Sequence, residues 1–152
     1  NSLSKTEDVF SEVSYHQHWD SSKNRSEDEL FAFISVEKSE PKLWMQIEHS
    51  KKHAMSLNKV FIKTVKGSHE LTPKNVESLT GGSHWYKTIV SEKEREVIDA
   101  IIQSALQSSK VTIRIQGAPN LKNKSYYTDR ELKSDEIERL KYVLLSYEML
   151  KS

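Results

Sequence analysis

No cysteine occurs among the 152 residues, which excludes disulfides, thiolate nucleophiles and zinc–thiolate sites together. Glycine is nearly as scarce: Gly67, Gly81, Gly82 and Gly117 are the only four. So few leave little room for a phosphate-cradling loop, and neither G-x-x-x-x-G-K nor G-x-G-x-x-G is present. The G-x-S-x-G elbow, H-E-x-x-H and S-x-x-K with its partner motifs are missing too, so nucleophilic and zinc-hydrolase chemistry have no recognisable address. No run approaches the ~18 apolar residues of a membrane span, and the N-terminus lacks an apolar signal core. A strong charge of one sign is also lacking. The net charge of +1 argues against a general nucleic-acid binder, which gains affinity by releasing counterions from phosphates.

What is present is a well-solvated chain with periodic apolar runs. Hydrophobic residues make up 36% and charged residues 30%, and the length suits one core rather than two independent domains. Charge is distributed unevenly. Acids predominate over residues 1–40, including Glu27, Asp28 and Glu29, whereas Lys51, Lys52, Lys59, Lys63 and Lys66 fall in an acid-free stretch. Mutual neutralisation across the fold is the simpler reading, and a basic face for an anionic partner is the alternative. The chain opens on Asn1, so the reading expects an upstream segment removed by signal cleavage or by trimming; a membrane tether through that segment is one option.

Residues 1–8 read as a frayed polar segment and 9–152 as a single domain. Val9–Trp19 reads as a first extended segment, Leu30–Val36 as a buried strand and Glu37–Pro41 as a turn. Leu43, Met45 and Ile47 alternate with Trp44, Gln46 and Glu48, the period of a half-buried strand. Leu57–Val65 and His69–Leu71 form a hairpin about Gly67, and Ser83–Val90 follows the loop Thr72–Gly82. Ser91 with Glu94 makes a capping box ahead of a stripe of Val97, Ile98, Ile101, Ile102 and Ala105. Lys110–Gly117 alternates as a strand, and Lys124–Thr128 reads as a short one. Ser134 is the expected cap of a last helix striped by Ile137, Leu140, Val143, Leu144, Tyr147 and Leu150. The predicted fold is α+β: an antiparallel sheet or sandwich of about six to eight strands, with two amphipathic helices on it.

Three strings, Lys110-Val-Thr-Ile-Arg-Ile-Gln-Gly117, Tyr126-Tyr-Thr-Asp-Arg-Glu-Leu132 and Tyr142-Val-Leu-Leu-Ser-Tyr-Glu148, resemble the C-terminal part of a group of uncharacterised bacterial domains. Upstream, Ser14–His18, Phe31-Ala-Phe33, Leu43–Ile47 and Trp85-Tyr86 fall in the group's order. Members often occur in exported or lipid-anchored proteins. The resemblance therefore implies this fold and an extracytoplasmic location, and it carries no activity. Ala54–Leu57 stands where the group would place a Trp-aromatic pair, and the loop Ala118–Asn123 is longer than the group's.

Candidate contact residues are few. Trp44 and Trp85 are large rings in strands, and Trp44 is out of phase with its apolar neighbours; with Tyr86 they are candidates for ligand contact, core packing being the competing role. Arg114, Tyr127, Asp129 and Arg130 form a possible cluster around a ligand carboxylate, or else a tie between strand and helix. His16 and His18 lie two apart, on one face if their segment is a strand, which is a spacing able to grip a metal. The favoured function is a non-enzymatic binding domain for a protein, glycan or small ligand, using one sheet face or the loop Thr72–Gly82, with no cofactor. The alternatives are a metal-dependent or acid/base hydrolase using the surface histidines with Asp20 or Asp129, and an immunity- or inhibitor-type protein with an acidic face of Glu27, Asp28 and Glu29.

Overall fold

The computed structural model describes residues 3–7, 13–18, 28–49, 57–78, 84–117 and 127–152, the first two stretches and Ser78 by backbone course alone. Its strands are β1 (Leu3–Glu7), β2 (Val13–His18), β3 (Glu29–Glu37), β4 (Glu40–His49), β5 (Lys59–Thr64), β6 (Gly67–Leu71), β7 (Glu77–Ser78), β8 (His84–Ile89), β9 (Thr112–Gln116) and β10 (Tyr127–Glu131). Its helices are α1 (Glu92–Leu106) and α2 (Ser134–Lys151). The strands form two antiparallel sheets, one ordered β1-β2-β3-β4-β8-β7 and the other β10-β9-β5-β6. The predicted α+β architecture, helices on antiparallel sheets, is what the chain adopts.

Alternation decides which side chains meet. In the six-stranded sheet, Leu30, Ala32 and Ile34 stand opposite Ile47, Met45 and Leu43, and Tyr86 continues that face from β8. The four-stranded sheet turns Val60, Ile62, Ile113 and Ile115 inward. Val97, Ile98 and Ile101 of α1, with Ile137, Leu140, Val143 and Leu144 of α2, complete one continuous core. Each fully buried aliphatic side chain contributes about 1.5–3 kcal/mol. Phe31 and Phe33 are buried on the opposite side of β3, which explains why Leu30–Ile34 is apolar at every position.

Several elements depart from their expected form. The described residues hold ten strands; β1 and β7, a polar edge strand and a two-residue bridge, have no apolar alternation to announce them. Residues 1–8, expected to be frayed, contain β1 laddered on β2 from Leu3↔His18 to Glu7↔Ser14. The strand expected at Lys124–Thr128 runs instead over Tyr127–Glu131. At the start of α1, Glu94 accepts from the Ser91 backbone N–H at 2.9 Å and from its hydroxyl at 2.6 Å, so the glutamate half of the expected box holds the turn. The cap of α2 is Lys133, not Ser134; Glu136 accepts the Lys133 N–H at 3.1 Å and moves the first turn one residue forward. Ala105 and Leu150, expected on the apolar stripes, are exposed.

Candidate functional site

The register between β4 and β8 puts Trp44 opposite Ile89, Gln46 opposite Lys87 and Glu48 opposite Trp85. All six side chains therefore point to the side of the sheet away from the shared core. The Trp44 ring stacks on Phe33 at 5.8 Å with 3° between planes, and its Nε1 donates to Ser35 Oγ at 2.8 Å. These contacts fix the indole from beneath and leave it half-buried. The exposed Lys87 places its ammonium 5.4 Å from the Trp44 ring centre and 6.0 Å from that of Trp85. Such an arrangement is worth about 0.5–1 kcal/mol at an exposed site, and it holds a cation between two half-buried indoles.

The other predicted cluster divides between two faces. Asp129 lies opposite Arg114 and accepts from its Nε at 2.7 Å and its Nη2 at 2.8 Å. The Arg114 guanidinium also covers the Tyr127 ring at 4.1 Å. This fork holds the Asp129 carboxyl below its ordinary range, so Asp129 stays ionised and unsuited to proton transfer. Arg130 points the other way, because neighbouring strand residues face opposite sides. It grips Glu136 through Nη1 at 2.6 Å and Nη2 at 3.0 Å, tying β10 to α2. Tyr86, expected as a contact on the Trp face, belongs to the core face and is 4% exposed.

A buried ionic network that the sequence reading overlooked lies where β3 and β4 meet the first turns of α2. Glu136 accepts the Leu30 N–H at 3.0 Å besides its Arg130 fork. Glu29 accepts from Arg139 Nη2 at 2.7 Å and stands opposite Glu48, which accepts from Gln46 Nε2 at 3.2 Å. Burial pushes the Glu29 carboxyl up to about 7, outweighing the pull of Arg139, and Glu136 adds to the rise. A carboxyl near 7 is poised for acid–base work, but the Glu29 side chain is 7% exposed and held by Arg139. Its burial also removes it from any exposed acidic face with Asp28; Glu27 lies outside the described residues.

Of the described histidines, His49 stands opposite His84 across β4 and β8, and His69 lies in β6. His16 and His18 fall in β2; their side chains, Asp20 and His53 lie outside the described residues. His49 is buried with its Nδ1 3.6 Å from Asp28, and His69 hydrogen-bonds Thr64 Oγ1 at 3.2 Å. Among the described residues, no three metal-ligating side chains converge, and no helix is long and apolar enough to cross a membrane. Comparison of the chain with protein-family models, curated proteins and solved structures finds no match.

Proposed function

We propose that the chain is a non-enzymatic binding domain that meets its ligand on the side of the six-stranded sheet carrying Trp44, Lys87 and Trp85. One observation supports this above the rest: the Lys87 ammonium is held against two half-buried indoles. Indoles offer flat area at low entropic cost, and the ammonium attracts negative charge. An acidic saccharide, with its apolar ring face and carboxylate, suits that pairing. The resemblance of the C-terminal strings to exported bacterial domains supports an extracytoplasmic setting, where such polymers are encountered.

The test is an array of oligogalacturonides and neutral cello-oligosaccharides probed with the purified protein. Binding of acidic members, weakened at least tenfold by Trp85→Ala and by Lys87→Glu, is the expected outcome. Absence of binding, or binding that both variants retain, would overturn the reading.

A further inference from the structure

The short reach of β7 opens a second feature on the other side of β8. Glu77 and Ser78 pair with Trp85 and His84, so the remainder of β8, Tyr86–Ile89, has no strand on that edge among the described residues. The Val90 N–H donates to Leu43 O at 2.8 Å. By alternation the N–H and C=O groups of Lys87 and Ile89 then face the open edge. A cavity of about 580 Å³ lies there, between β8, the segment after β6 and the first turn of α1. That volume falls within the range of small-molecule sites.

The lining is cationic and rich in donors. Lys74 and Lys93 contribute two ammonium groups against the single carboxylate of Glu94, and that carboxylate is already occupied by Ser91. Lys87 lines the edge, but its ammonium lies over Trp44 and Trp85. Neither Lys74 nor Lys93 forms an ion pair with a described residue. Tyr86 closes the cavity from the core side. It is 4% exposed, yet its hydroxyl makes no hydrogen bond to a described residue and lines the opening. The hydroxyl is open to the cavity rather than sealed in the core, and it can donate to a ligand oxygen there. Burial and the nearby Glu94 push the phenol well above its ordinary range, so it remains a donor at any physiological pH. Thr72, Asn75 and Thr88 add neutral polar groups around it.

We infer that this cavity binds a small phosphorylated polyol, its phosphate met by Lys74, Lys93 and the Tyr86 hydroxyl. The inference stands apart from the Trp face, since Lys87 is the only residue they share. The experiment is isothermal titration of the whole chain with glucose 6-phosphate, glucose and inorganic phosphate. Glucose 6-phosphate should bind at least tenfold more tightly than either of the others. Tyr86→Phe, which keeps the ring and removes one donor, should weaken binding about tenfold. Lys74→Ala with Lys93→Ala should weaken it further and flatten its salt dependence, and Trp85→Ala should leave it unchanged. No heat with glucose 6-phosphate, equal affinity for inorganic phosphate, or full binding by Tyr86→Phe would overturn the assignment.

Discussion

Lys38 and Ser39 join β3 to β4 with φ of 50° and 66°, the left-handed region that side chains with a Cβ avoid. Two consecutive positive angles in a two-residue hairpin loop define a turn for which Asn-Gly is the preferred pair. Replacing Lys38→Asn together with Ser39→Gly should therefore stabilise the fold by about 0.5–1 kcal/mol, seen as a higher urea midpoint at unchanged slope. An unchanged or lower midpoint would mean that the turn is not under strain. A sharper contrast separates the two neighbouring ion pairs of β10. Asp129 and Arg114 are exposed, so Asp129→Asn should barely move the midpoint. Arg130 grips a Glu136 that is 1% exposed, and Arg130→Ala strands that carboxylate in the core. Removing one partner of a buried pair costs about 3–5 kcal/mol. Equal effects of the two variants would contradict this assignment of faces.

The elements differ in how plainly the chain announces them. α1 is legible because Ser91, Glu94 and the stripe from Val97 to Ile101 all describe one helix, and β4 and β9 are legible from strict alternation. β1 and β7 are not, because they are ordered by backbone ladders to neighbouring strands, and ladders leave no mark on side-chain type. The same reason hides much of the site. Trp44 and Trp85 come together through the register of β4 on β8, and Arg114 meets Asp129 through that of β9 on β10; both depend on long-range pairing. Glu29, Glu136 and Arg139 read as surface charges by composition. The signal that finds them is positional: Glu29 abuts the apolar run of β3, while Glu136 and Arg139 flank Ile137 and Leu140 on the inward side of α2. That helix depends on its core stripe rather than on propensity. Leu140, fully buried, should cost about 2–5 kcal/mol as Leu140→Ala, whereas Met149→Ala, at a position 77% exposed, should leave calorimetric stability unaltered.

At the scale of the whole molecule, the buried network couples folding to pH. The folded state holds the Glu29 carboxyl at about 7 against an ordinary 4.5, because burial disfavours its charge more than Arg139 favours it. Between those two values the folded chain keeps a proton that the unfolded chain has released. Stability from this group is therefore fully present below about pH 4.5 and is lost as pH rises toward 7. The slope approaches 1.4 kcal/mol per unit, so the loss by pH 8 is on the order of 3 kcal/mol. Glu29→Gln keeps an oxygen to accept from Arg139 and cannot ionise, so it should lose less stability than the parent between pH 5 and pH 8. Urea unfolding of both proteins at the two pH values measures that difference directly. Parallel pH profiles would show that Glu29 is already ionised in the folded chain. The junction between α2 and the start of β3 would then be held by a permanent ion pair rather than by a carboxyl poised near neutrality.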